Sequence, residues 1–166
     1  MESFLQLLSG GWLQIIAALL AAYLIGSISF SIIITSRVAN KDIRTMGSGN
    51  AGFTNVLRSI GWGPAIATIL LDFAKGLLAV AIGGMLFRTF TVNGIPSAEL
   101  VSYGKYIAGF ACILGHMYPI YYGFKGGKGV VTSLALMAIA DWRVFLVCLA
   151  TFFWYLLSQE QYLWVL

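Results

Sequence analysis

Charge is what this sequence has least of. Only 10% of its 166 residues are Asp, Glu, Lys or Arg, against about a quarter in a soluble domain, so the chain cannot cover a globule with polar side chains. It also has three prolines, two cysteines and a single histidine, His116. One imidazole and two cysteines far apart in sequence exclude a Cys/His zinc site, and no metal ligand set is expected. Cys112 and Cys148 both lie in apolar runs, where burial as packing residues is expected rather than a disulfide or a nucleophile. The net charge of +4 comes from residues dispersed among the connections, which gives no nucleic-acid-binding surface. Internal repeats and low-complexity stretches are absent. So is a P-loop, because G-x-x-x-x-G-K-[ST] would need glycine at Tyr122 and a hydroxyl at Gly129.

What is present is apolar length. The chain is 60% hydrophobic with a mean hydropathy of +0.88, and it divides into five apolar segments: Phe4–Ile34, Pro64–Phe87, Tyr106–Tyr122, Val130–Ala140 and Val144–Leu157. A span needs about 20 residues. The first segment is therefore overlong, and Gly26-Ser27-Ile28-Ser29 is where it bends most easily. It exceeds a signal-peptide core and starts with acidic Glu2, so it reads as a retained span. The fourth is too short to cross unless the glycine-rich residues before it extend the helix. Lipid-exposed backbone must satisfy its own hydrogen bonds, which makes the expected fold all-α. We expect a polytopic transmembrane bundle of about five spans with glycine-rich cytoplasmic or re-entrant loops, and one domain over residues 1–166. Trp12, Trp62, Trp142, Trp154 and Trp164 lie near segment ends and read as interfacial anchors.

The polar residues collect in two glycine-rich segments, Asp42–Arg58 and His116–Gly129. Glycines bare backbone N–H groups, and Arg and Lys add fixed charge, a mixture suited to phosphate oxygens. Arg37, Lys41, Arg44, Arg58, Lys125 and Lys128 fall in the first and third connections, against Arg88, Lys105 and Arg143 on the opposite side. Six against three puts the glycine-rich loops in the cytoplasm. Arg37 and Lys41 read as topology signals by the same rule. Asp72 and Lys75 are three residues apart on one helix face, where they neutralise each other or serve catalysis. Thr54 and Asn55 either cap a following helix or contact ligand.

These residues carry a resemblance. The Asp42–Arg58 block, Asp72-Phe-Ala-Lys-Gly76 and Gly115-His-Met-Tyr-Pro…Phe-Lys-Gly-Gly-Lys-Gly-Val-Val-Thr132 resemble the acyl-phosphate–glycerol-3-phosphate acyltransferases, the PlsY family, as does Gly26-Ser-Ile-Ser-Phe30. The resemblance covers roughly residues 20 to 155. It implies a multi-pass enzyme of the bacterial cell (inner) membrane that moves a fatty acyl group from acyl phosphate to the 1-hydroxyl of glycerol 3-phosphate. The product is lysophosphatidic acid, and the partners are those two substrates and the lipid bilayer.

The residue chemistry suits that reaction without a cofactor. Acyl phosphate is a mixed anhydride with a good leaving group, so the task is to hold two anions together and aim a hydroxyl, which is catalysis by positioning. Arg58 and Lys128 are the candidates for neutralising phosphate. Ser48 and Asn50, presented by Gly47 and Gly49, are candidates for contacting phosphate or the developing oxyanion. The Gly126, Gly127 and Gly129 backbone is expected to supply N–H donors, with Lys125, Thr54 and Asn55 as further phosphate-binding candidates and Arg44 balanced between ligand and topology signal. His116 is a catalytic candidate whose role as base competes with the substrate's own phosphate. A Ser-His-Asp triad would have to use it as its only base.

The His-then-Asp signature of soluble acyltransferases is missing, since Ile120 holds the second place. The aspartate cluster of metal-dependent membrane phosphotransferases is missing as well. The rival reading is a membrane carrier of phosphate or a phosphate ester, which should show related halves, and the two glycine segments are not copies. Relatives in the resembled family continue into a further His/Asn-Ile-x-Arg-Leu type motif that Gln159–Leu166 does not match. The expectation is a chain incomplete at its C-terminus, with little or no activity alone.

Overall fold

The computed structural model describes residues 7, 8, 10–89 and 95–163; Glu2 and Trp164 lie outside them. Every regular element among the described residues is helical. We label the α-helices α1 (Trp12–Gly26), α2 (Phe30–Ala39), α3 (Phe53–Ser59), α4 (Trp62–Arg88), α5 (Ser97–Met117), α6 (Val130–Ala140) and α7 (Trp142–Leu163). Short 3-10 turns at Ile43–Thr45 and Ile120–Tyr122 punctuate the two polar segments.

The long first segment breaks where its small residues are. α1 ends at Gly26, and α2 starts after the extended Ser29. Ser27 Oγ donates back to the Tyr23 carbonyl at 2.8 Å, and the Ser29 and Ser31 hydroxyls lie 3.1 Å apart. Even with the break, Trp12–Ala39 is apolar enough to cross a membrane, as is the 27-residue α4, about 40 Å long at 1.5 Å per residue. The 21-residue α5 reaches about 31 Å. It differs from the expected Tyr106–Tyr122 at both ends. Polar Ser97, Glu99, Ser102 and Lys105 obscure its true start, and Pro119 ends it early by disfavouring helix at Tyr118.

α6 begins at Val130 behind a left-handed Gly129, so the glycine segment does not extend it, and 11 residues give only about 16 Å. The chain reverses at extended Asp141, whose carboxylate accepts from the Arg143 amide at 2.8 Å and so caps α7. α7 then returns to the glycine-rich end, where Phe152 meets Phe53 of α3 with ring centroids 6.2 Å apart. Trp12, Trp62 and Trp142 are the exposed first residues of α1, α4 and α7, whereas Trp154 sits inside α7.

Helices α1 and α5 meet backbone to backbone. A Cβ on Gly26 would fall on the Cys112 carbonyl, and one on Gly115 would fall on the Tyr23 carbonyl. Neither neighbour is a flexible side-chain tip that can move aside. Gly26→Val is therefore expected to lower stability by about 1–3 kcal/mol or more, read as a reduced thermal midpoint in detergent. An unchanged midpoint would contradict the close approach. Cys112 is buried at this contact as expected, but Cys148 is exposed on α7. Its side chain borders a cavity instead of a packed neighbour.

Candidate functional site

Both polar segments gather at one end of the bundle. The first is built on its own small apolar core, with Ile43, Ala51, Phe53 and Val56 buried against Ile32 and Ala65. Its organiser is Asn55, buried in the first turn of α3. The two N–H groups of Asn55 Nδ2 are shared among the carbonyls of Ile43, Met46 and Asn50, each 3.0–3.1 Å away. Its Oδ1 accepts from the Ser48 amide at 3.0 Å. The side chain expected to cap a helix or bind ligand is thus spent on shaping the loop, because a buried amide must satisfy both of its ends. Gly47 and Gly49 take positive φ to make the turns around it. Thr54 also lies within α3, whose N-cap is Gly52.

Arg44 ties the two segments together. Its guanidinium makes paired contacts with Asp42, the closest 2.7 Å, and Nη1 donates to the Tyr122 carbonyl at 2.6 Å. The hydrogen bond from Arg44, partly offset by desolvation, holds the Asp42 carboxyl below its ordinary value. A carboxyl lowered on folding contributes stability that is complete above the unfolded value of about 3.9 and is lost as pH falls through the folded one. Acidification through that range is expected to loosen the two segments, read as a shift of the Arg44 Nε–H resonance toward its solvated position. Asp42→Asn should give that position already at neutral pH. A wild-type resonance unmoved by acid would contradict the latch.

The second segment folds back on the end of α5. The Gly126 and Gly127 amides donate to the Met117 and His116 carbonyls, both at 3.1 Å. They satisfy carbonyls orphaned at that helix end. These amides, expected to face phosphate, are therefore already used. One step later Gly129, Val130 and Val131, at the N-terminus of α6 where amides have no partner within the helix, line a cavity. A helix N-terminus presents unpaired N–H groups and partial positive charge to an anion.

That cavity has a volume of about 560 Å³. Ser48, Asn50, Thr54, Asn55, Arg58, His116 and Lys128 all line it, together with Asp72 at its inner end. Lys125, Gly126, Gly127, Gly47 and Gly49 do not line it; Lys125 is exposed outside. α7 adds Cys148, Thr151, Phe152 and Tyr155 to the lining. Sequence reasoning missed this contribution, since nothing in α7 marks one face of an apolar helix as cavity-lining.

Beneath the cavity lies a buried cluster of ionisable groups. Asp72, Lys75 and His116 are 2%, 4% and 6% exposed. Lys75 Nζ is 2.8 Å from Asp72 Oδ1, 3.1 Å from His116 Nδ1 and 2.5 Å from the Ile28 carbonyl freed by the α1–α2 break. The Asp72 contact is an ion pair rather than an aligned hydrogen bond. Pairing of Asp72 with Lys75 was expected from their spacing; the link to His116, 41 residues on, was not. Among the described residues no group of three or more His, Cys, Asp or Glu side chains could hold a metal ion.

Comparison with known proteins places this geometry. The family model described as Glycerol-3-phosphate acyltransferase matches residues 16–162. The chain is 46% identical over 128 residues to a protein of Halalkalibacterium halodurans named glycerol-3-phosphate acyltransferase, covering 77% of this chain and 55% of the relative. It is 43% identical over 139 residues to one of that name from Paramagnetospirillum magneticum, covering 84% and 63%. A crystal structure described as PlsY (YgiH), an integral membrane glycerol 3-phosphate acyltransferase in its glycerol 3-phosphate form, superposes with TM-score 0.64 at 34% identity, covering 90% of this chain and 66% of that one. Its lysophosphatidic acid form gives TM-score 0.62 at 34% identity, covering 80% and 60%. The chain thus spans a little over half to two thirds of the length of these proteins.

Proposed function

The chain belongs to the glycerol-3-phosphate acyltransferase family, and on that premise we propose that it transfers a fatty acyl group from acyl phosphate to the 1-hydroxyl of glycerol 3-phosphate. The observation that carries the reading is one cavity lined both by the cations Arg58 and Lys128 with the α6 N-terminus and by apolar side chains such as Phe53, Val131 and Phe152. Two phosphates need the first kind of lining and an acyl chain needs the second.

In the reaction the 1-hydroxyl oxygen bonds to the acyl carbonyl carbon, and the bond from that carbon to the phosphate oxygen breaks. The departing phosphate takes the hydroxyl proton, so the balance is lysophosphatidic acid plus inorganic phosphate. Arg58 and Lys128 offset the repulsion of two anions held together, and Ser48 with the α6 amides stabilises the charge that moves onto the carbonyl oxygen. No protein nucleophile is required, because the anhydride is already activated.

The test is to supply the protein with palmitoyl phosphate and glycerol 3-phosphate and to look for lysophosphatidate, with chelator present in a parallel sample. Product formation insensitive to chelator is expected once the C-terminal region of a full-length relative is appended, and the variants below are compared in that extended form. Movement of labelled phosphate ester across a vesicle without product would instead favour a carrier.

The same reading puts the protein in the bacterial cell membrane with both glycine-rich segments cytoplasmic, supported by the six-to-three distribution of Lys and Arg. Single cysteines at Ser48 and Ser133, in a background lacking Cys112 and Cys148, should resist an impermeant reagent added to intact cells. Labelling of either from outside would reverse the orientation.

A further inference from the structure

The contacts of Lys75 determine how His116 is protonated. An ammonium has three N–H donors and no acceptor. Here it is ion-paired with Asp72 Oδ1 at 2.8 Å and hydrogen-bonded to the Ile28 carbonyl and to His116 Nδ1. A nitrogen facing an ammonium must offer a lone pair, so Nδ1 is unprotonated and a neutral ring carries its hydrogen on Nε2. The Nε2 edge points toward the second glycine segment, where a Cβ on Gly127 would fall on Nε2 and on the Ala51 carbonyl. His116 lines the cavity beside Lys128, and Nε2 makes no hydrogen bond among the described residues.

We propose that Lys75 is a positioning residue that locks His116 in the Nε2–H tautomer, so that the imidazole enters the cavity as a hydrogen-bond donor to a substrate phosphate oxygen and not as the base. A ring whose acceptor nitrogen is occupied by a cation has no lone pair left for the 1-hydroxyl proton. The proton therefore leaves with the phosphate, and His116 joins Lys128 and Arg58 in holding anionic oxygen. Lys75 touches no substrate in this arrangement. Asp72 pairs with it, and the Ile28 carbonyl fixes where its ammonium sits.

The single histidine makes the test direct. With ¹⁵N in the imidazole of the full chain in detergent, Nδ1 should resonate as an unprotonated acceptor and Nε2 as an N–H nitrogen at neutral pH. Adding glycerol 3-phosphate should shift the Nε2 signal and leave Nδ1 nearly in place. In Asp72→Asn/Lys75→Met, which removes both charges together and so leaves no buried ion unpaired, the ring should populate both tautomers. In the acyl-transfer assay His116→Gln, which keeps an N–H donor but cannot act as a base, should retain about tenfold more turnover than His116→Ala.

A wild-type ring protonated on Nδ1 overturns the proposal, as does a fixed Nε2–H tautomer that persists in the double variant. Equal loss in His116→Gln and His116→Ala overturns the donor role. Only the kinetic comparison rests on the acyltransferase reading. If no form transfers acyl groups that reading fails, while the ring signals still decide the tautomer.

Discussion

Lys128→Ala and Arg58→Ala each lower acyl transfer at least ~100-fold, the scale of removing one preorganised charge-stabilising donor. Both side chains line the cavity, and they come from segments that reach it independently, Arg58 near the end of α3 and Lys128 just before α6. Loss of either leaves one anion short of a partner at the moment two anions are closest. Lys128→Arg keeps the charge but spreads it over a planar fork, so it should recover part of kcat while raising KM for glycerol 3-phosphate. Lys125→Ala is the control, because Lys125 does not line the cavity, and it should change turnover little. Near-normal rates in both cavity variants would remove the two cations from the mechanism.

The second large effect is on stability. Lys75→Met strands Asp72, a carboxylate 2% exposed at the inner end of the cavity, and breaking a buried pair from one side costs about 3–5 kcal/mol. It also strips the Ile28 carbonyl of its donor at a helix break. Asp72→Asn/Lys75→Met removes the uncompensated charge and should regain much of the loss. The thermal midpoints should therefore rank wild type highest, the double variant next and Lys75→Met lowest. If Lys75→Met melts with the wild type, the cluster is not holding the helices.

What the sequence reveals depends on how local the cause is. The break at Gly26–Ser29 is legible because small and hydroxylated residues interrupt an apolar run too long for one span. The limits of α6 are legible because Gly129 and Asp141 bracket it. α5 is misread at its start, since Ser97, Glu99, Ser102 and Lys105 lower its hydropathy although they extend the same helix. α3 is hidden because Thr54, Asn55, Arg58 and Ser59 look like loop.

The candidate site divides in the same way. Ser48, Arg58, Lys128 and His116 stand out as polar residues in an apolar chain, and the structure sets them around one cavity. The work of Asn55, whose amide reaches back as far as Ile43, depends on a fold that spacing does not display. The use of the Gly126 and Gly127 amides on α5 is equally non-local. So is the meeting of Lys75 with His116.

The broken first helix bears on how the molecule is made. Ile28 emerges from the ribosome 47 residues before Lys75, whose ammonium takes its carbonyl. At about 5–20 residues per second, that carbonyl waits roughly 2–10 s for its donor. Until then a straight helix through residues 12–39 is the arrangement that leaves no carbonyl orphaned in lipid. A nascent chain ending before Lys75 is therefore expected to hold residues 12–39 as one unbent helix, with the elbow forming when α4 arrives. On this order the polar floor of the cavity is completed last, when Lys75 reaches the carbonyl that the break in the first helix leaves open.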